Sequence, residues 1–139
     1  PGVSWTEFNG EILEFKTNDR RHPRSEEIHA KAKYIFDVLI KHGHEYDASW
    51  ITRPLGEDET TESVLCTHSE RLAIAYHFLQ EENPSFIQIT ENLLIHVSIV
   101  LDRATKLISK IWQCKIIVRD ANCIHHFSPD GTCSCQDHF

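Results

Sequence analysis

The sequence contains no methionine, only five glycines and five prolines in 139 residues, and no internal repeat or low-complexity segment. Its 40% hydrophobic and 25% charged residues are typical of one soluble globular domain. No apolar run reaches the ~20 residues of a membrane helix, so we expect no membrane-spanning segment. A cleavable apolar leader is also missing, and because the chain starts at Pro1 we expect it to be a fragment of a longer protein.

Basic residues are scarce. The chain has 14 Lys and Arg against 21 Asp and Glu, a net charge of −7. Because non-specific binding to nucleic acid depends on Lys and Arg neutralising phosphates, the domain as a whole should hold RNA or DNA poorly alone. If it acts on nucleic acid, another part of the protein must bring it there.

The five cysteines do not form a disulfide framework. Cys66, Cys114 and Cys123 are scattered, whereas Cys133 and Cys135 are separated by one residue. A C-x-C pair makes a strained disulfide but a good pair of metal ligands, and the chain also has ten histidines. This pattern favours a reducing compartment and bound zinc.

The first part of the chain predicts a hairpin followed by a helix. Alternating residues 3–8, the Asn9-Gly10 turn and the apolar segment 11–15 indicate two short antiparallel strands. Ser25 is then the predicted cap of a helix whose apolar positions recur at helical spacing until Gly43.

The rest of the chain alternates helices and strands. Residues 44–61 indicate a solvated loop or insertion. Beyond them the pattern predicts a helix over about 61–80, a strand over 86–95, a helix over 98–111, an interior strand over 115–118 and an irregular tail. Strands separated by helices indicate an α/β domain with a partly parallel sheet.

His68, Ser69 and Glu70 form an H-x-E motif near the start of the second long helix. At a helix start, His and Glu two positions apart can address one pocket, as in zinc deaminases, where the His binds zinc and the Glu moves protons. Three letters alone are weak, and a surface helix start is the alternative interpretation.

Further motifs along the whole chain carry a resemblance. The sequence resembles the DYW deaminase family, with matching segments in the family's order and spacing: 1–5, 22–23, 68–74, 91–93, 106–111, 116–120, 125–127, 131–135 and the closing trio 137–139. The resemblance implies a cytidine-deaminase fold. It implies an activity that converts cytidine to uridine in mitochondrial and chloroplast transcripts. It also implies that an upstream pentatricopeptide-repeat (PPR) tract reads the RNA.

The family's C-x-x-C-H motif is missing. Counted from Asn92, His96 takes the place of the first Cys and Ile99 that of the second. Counted back from Lys106, the chain is two residues longer, and Leu101 and Asp102 fall on the second Cys and the His. Both alignments remain open, and both leave an aliphatic residue at the second Cys.

The resemblance therefore implies an incomplete catalytic site. A catalytic zinc needs three protein ligands and an open position, whereas His68 and His96 supply two at best, beside Glu70 as the vestigial acid/base. Cys66 and Cys114 are conceivable substitutes, but the first should point away from His68 and the second lies at the start of a strand.

A second, structural zinc site matches the family better. The resemblance implies ligands from one His of the pair His125 and His126, both Cys133 and Cys135, and Asp102 if the second alignment holds. The alternative is a free thiol pair among ordinary polar histidines. The remaining histidines are expected on the surface or in loops: His22, His29, His42, His44, His77 and His138.

The resemblance, added to the α/β pattern of helices and strands, implies one cytidine-deaminase-like α/β sandwich, with a mixed sheet flanked by helices, a PG-box hairpin and a zinc-stapled tail. Its expected parts are the hairpin and turn 1–24, first helix 25–43, inserted or gating segment 44–61, deaminase core 62–119 and zinc-binding tail 120–139.

Two functions stay open. The first is a degenerate, non-editing domain of an organellar RNA-processing factor, with one structural zinc and a role in splicing, cleavage or stability of a transcript or in support of other editing or processing factors. The second is an active cytidine-to-uridine RNA-editing deaminase with an unusual zinc shell. Either would work on organellar RNA in a plant mitochondrion or chloroplast, with the mitochondrion slightly favoured, and without a membrane partner.

Overall fold

The computed structural model describes residues 3–43, 68–92, 95–120 and 124–134, and of 95–102 it describes the backbone. The strands are β1 Val3–Phe8, β2 Glu11–Lys16, β3 Phe86–Glu91, β4 Lys115–Arg119 and β5 Ile124–Phe127. The helices are α1 Ser25–Lys41, α2 Ser69–Gln80 and α3 Ile95–Trp112. No helix within these ranges is long and apolar enough to span a membrane.

The strands form one mixed sheet in the order β2-β1-β3-β4-β5. All neighbours pair antiparallel except β3 and β4, which are parallel. The helix α3 provides the crossover that a parallel pair requires. The prediction of an α/β domain with a partly parallel sheet is confirmed.

One face of the sheet carries the core. Ile87 and Ile89 of β3 pair directly with Ile116 and Val118 of β4, and all four are fully buried. Helix α2 packs on β1, β2 and β3, helix α3 packs on β4 and β5, and α1 lies against α2 and α3. The alternation of buried and exposed residues along each strand follows from this one-sided covering.

The hairpin and the first helix agree with the sequence pattern, with one correction. Asn9 and Gly10 both have positive φ, as a tight two-residue turn requires. Ser25 is the first helical residue and not the cap; that position belongs to Arg24, which makes no side-chain cap hydrogen bond. Glu26 and Glu27 in the first turn favour the helix start through its dipole.

Three other predicted boundaries were wrong. The strand predicted over 86–95 ends at Glu91, and the third helix starts at Ile95, three residues earlier than expected. The tail expected to be irregular contains β5, because Ile124–Phe127 alternates and pairs with β4. The start of the helix predicted over 61–80, and the expected segment 44–61, lie outside the described residues.

Candidate active site at the start of the second helix

The H-x-E motif lies at the N-terminus of α2 and is buried. His68 is the N-cap in an extended conformation, and Ser69 and Glu70 begin the helix. Glu70 is 0% and His68 7% exposed, which excludes the surface helix start. The Glu70 carboxylate sits at the positive end of the helix dipole, which stabilises its charge.

Two contacts fix this helix start. The Ser69 hydroxyl lies 2.8 Å from the Ser4 hydroxyl of β1. Thr105 of α3 donates a hydrogen bond of 2.7 Å from Oγ1 to Oε1 of Glu70. The motif is thereby tied to the sheet on one side and to α3 on the other.

Two further polar side-chain atoms of the motif are unsatisfied. Within the described part of the chain, Oε2 of Glu70 and Nδ1 of His68 are buried and have no hydrogen-bond partner. A buried polar atom without a partner lowers the stability of the fold by on the order of 1–3 kcal/mol. Such atoms therefore indicate a functional site.

The electrostatics keep His68 neutral. Burial, with the positive charge of Arg71 adding to it, lowers the pKa of His68 to about 4. A neutral imidazole is the form that binds metals. The side chain is thus in the protonation state of a ligand at neutral pH.

The other expected catalytic ligands are not brought to this site within the described residues. Cys114 follows the end of α3 and is fully buried, and burial raises the pKa of its thiol to about 12. Cys114 is also far from Thr105 along the chain. The helix runs for seven more residues from Thr105 to Trp112, which is about 11 Å along its axis, and Cys114 follows two residues later. Cys66 and the side chain of His96 lie outside the description.

The two histidines expected at the structural zinc site lie on opposite faces of β5. His125 is 2% exposed on the helix-covered face, whereas His126, its neighbour along the strand, faces the opposite side and is half-buried. Cys133 is buried and forms a bridge opposite Phe127, so it shares the face of His125. Cys135 and the side chain of Asp102 lie outside the description.

Asp120 lies beside His125 at this end of the sheet. Its Oδ2 lies 3.3 Å from Nε2 of His125. A carboxylate on one ring nitrogen orients an imidazole so that the other nitrogen can bind a metal. No three His, Cys, Asp or Glu side chains of the described ranges come together as a complete metal site.

His77 corrects the expectation that the remaining histidines are peripheral. It is 5% exposed, and its Nε2 lies 2.7 Å from the Thr6 hydroxyl, which donates to the Gln88 carbonyl. Burial lowers its pKa to about 4. Of the others, His22 and His29 are half-buried and His42 is exposed, while His44 and His138 lie outside the described residues.

The sequence did not predict three partners of the two sites, which are Thr105, Ser69 and Asp120. Thr and Ser are common in helices, and nothing in their spacing marks them. The Arg-Asp pair that ends β4 was noted as part of a motif, but its proximity to His125 depends on the pairing of β4 with β5.

Comparison with known proteins identifies the domain. The sequence profile of the DYW family of nucleic acid deaminases matches residues 43–139. The chain therefore belongs to the DYW family.

The individual relatives are larger plant proteins. The chain is 41% identical over 138 residues to the pentatricopeptide repeat-containing protein At3g12770 of Arabidopsis thaliana, covering 99% of the chain and 19% of that protein. It is 40% identical over 137 residues to the pentatricopeptide repeat-containing protein ELI1, chloroplastic, of the same plant, covering 99% of the chain and 21% of that protein. The chain thus spans about a fifth of the length of these relatives.

Proposed function

We propose that this chain is a degenerate, non-editing deaminase-like domain of an organellar RNA-processing factor. The family match supports a role in RNA editing or processing. The choice of the non-editing role rests on the rotational phase of α3, that is, on which of its positions face Glu70.

The contact with Glu70 sets the phase of α3. Because Thr105 donates to Glu70, its position on α3 faces the start of α2. At about 100° per residue, positions Ser98 and Leu101 come within about 40° of Thr105, whereas His96 is about 180° away.

This phase favours the alignment in which the segment is two residues longer. In that alignment Ser98 and Leu101 occupy the two Cys positions of the family. Neither residue type is a zinc ligand. Among the residues that the structure describes, His68 then remains as the one expected catalytic ligand.

The donor set does not fit a catalytic zinc. The unpaired Nδ1 of His68 and Oε2 of Glu70 keep the pattern of a ligand and a proton carrier. One imidazole is two ligands short of the three that a catalytic zinc needs. We therefore infer that this domain does not catalyse deamination.

The structural zinc site fits better. His125 and Cys133 are buried on one face, and Asp120 orients the imidazole. We infer that His125 and Cys133 would hold a zinc at the end of the sheet. Cys135 and Asp102 would be the other ligands, and His126 would not be a ligand. Bound there, the zinc would contribute folding free energy.

The larger arrangement is part of the proposal. Residues 1–139 would form one domain with the five parts expected from the sequence, including a PG-box hairpin in β1 and β2 and a cytidine-deaminase-like sandwich. A PPR tract would deliver the RNA in a chloroplast or mitochondrion. The names of two further Arabidopsis relatives carry the word chloroplastic, which supports an organelle without favouring the mitochondrion.

The second candidate is an active editing deaminase. The unpaired buried atoms of His68 and Glu70 favour it, because such atoms lower the stability of the fold unless they serve a function.

A deamination assay separates the two candidates. The domain would be fused to a repeat tract that binds a known RNA, co-expressed with its target, and the target sequenced. We expect no cytidine-to-uridine conversion. Conversion that is lost in Glu70→Ala would establish the second candidate, and the same fusion with an active DYW domain provides the positive control.

A further inference from the structure

The sheet face turned away from the helices is exposed over β3, β4 and β5. Phe86 is 48% and Ile124 42% exposed on this face. A parallel pair such as β3 and β4 is normally covered on both sides. An open parallel pair with exposed apolar side chains is typical of a binding surface.

The charge of this face differs from that of the chain. The outward positions of β3, β4 and β5 carry Lys115, Arg119 and no carboxylate, in a chain with 21 acidic and 14 basic residues. The same face of β1 and β2 carries Glu7 and Glu14 beside Trp5, and Glu14 is paired with Arg21. Neither Lys115 nor Arg119 forms an ion pair with another residue in the described ranges. The part of the face formed by β3, β4 and β5 is therefore complementary to a polyanion.

Lys115 has a direct aromatic neighbour in the sheet, and Arg119 lies two strands from a second aromatic ring. Phe86 is the direct partner of Lys115. Four residues further along β3, Thr90 is paired with Arg119 on one side and with Trp5 of β1 on the other. The two aromatic-and-cation pairs are thus about 13 Å apart along the strands.

We infer that this sheet face binds a single strand of RNA, with unpaired bases against Phe86 and Trp5 and phosphates at Lys115 and Arg119. Sheets that combine exposed aromatics with cations bind single strands in this way, because stacking requires unpaired bases. An acidic protein segment would use the two cations but not both rings. Glu70 lies on the helix-covered side, so RNA bound here is held and not presented for deamination.

The inference rests on the proposed RNA role only for the choice of polyanion, and binding is measured independently of deamination. The experiment titrates the 139-residue chain into a fluorescein-labelled, unstructured 15-nucleotide RNA and records anisotropy at several salt concentrations. Lys115→Gln/Arg119→Gln removes the cations, and Phe86→Ala removes one ring. Lys31→Gln/Lys41→Gln on α1 is the control with the same change of charge.

We expect weak, salt-dependent binding by the unaltered chain. Two phosphate contacts predict a slope of about −1.4 in log K against log salt. Lys115→Gln/Arg119→Gln should flatten the slope and weaken binding about tenfold at low salt, Phe86→Ala should weaken it severalfold, and the control should stay within about twofold.

Other results would overturn the inference. They are no binding at low salt, an equal loss in the α1 control, equally tight binding of a duplex of the same sequence, or full displacement of the RNA by polyglutamate at equal charge. The last result would assign the surface to an acidic protein partner. Unchanged melting temperatures of the variants confirm that folding is not the cause.

Discussion

The hydroxyl of Thr105 donates to Oε1 of Glu70 over 2.7 Å, and both residues are fully buried. This contact joins two helices that are adjacent in the chain but separated by β3. It also fixes which side of α3 faces the candidate active site.

Replacing Thr105 with Val tests this contact. The isosteric change removes the donor and leaves Oε1 of Glu70 buried without it, so we expect a loss of about 1–3 kcal/mol in the free energy of unfolding. Chemical denaturation measures it. Thr90→Val, an exposed position on β3, is the matched control and should change stability little. An equal effect of the two variants would show that the Glu70 contact is not stabilising.

The phase of α3 predicts which cysteines can rebuild a metal site. Ser98→Cys/Leu101→Cys should bind a second zinc with His68, whereas His96→Cys/Ile99→Cys should not, because those positions lie about 120–180° from Thr105. Zinc per chain is counted by elemental analysis after dialysis. A second zinc in the His96 and Ile99 variant alone would favour the other alignment.

The unaltered chain should hold one zinc. The expected corner of His125, Cys133 and Cys135 is the source, so the protein purified without added metal should contain one zinc per chain. His125→Gln should lose it, and His126→Gln, on the opposite face of β5, should keep it. Two zincs would contradict the degenerate catalytic site, and none would contradict the structural site.

Loss of a tail thiolate should also destabilise the fold. Because structural zinc contributes folding free energy, Cys133→Ser should lower stability by several kcal/mol or make the chain insoluble. Cys114→Ser, at the buried cysteine that precedes β4, is the control and should keep its zinc. Wild-type melting of Cys133→Ser would show that the zinc is not structural.

His77 predicts a pH dependence of stability. Its pKa is about 4 when folded and near 6.5 when unfolded, so between these values the unfolded chain binds more protons. The free energy of unfolding should therefore fall as the pH drops from about 6.5 towards 4. His77→Gln should make this fall shallower by roughly 1–3 kcal/mol. Denaturation at pH 7, 5.5 and 4.5 measures it, with the exposed His42→Gln as the control. A fall of unchanged steepness would exclude His77 as its cause.

The sequence pattern predicted the elements well where local signals are strong. The Asn9-Gly10 turn and the apolar spacing of α1 are local properties, and both were located correctly. The start of α3 and strand β5 were missed because no strong cap precedes Ile95 and because β5 depends on pairing with β4.

The site residues were predictable by type but not by environment. H-x-E gave His68 and Glu70, whereas their burial and the contact with Thr105 depend on packing between two helices. The pair His125-His126 could not be resolved from the sequence, since adjacent residues of a strand point to opposite faces and the strand itself was not predicted.

The position of β1 between β2 and β3 has a consequence for folding during synthesis. Val3 and Asn92 exchange two hydrogen bonds across 89 positions of sequence. The hairpin leaves the ribosome before β3, so the edge of β1 that pairs with β3 has no partner strand until β3 follows. At about 5–20 residues per second the hairpin therefore waits for several seconds with an unpaired strand edge, a stage at which a chaperone would be most useful.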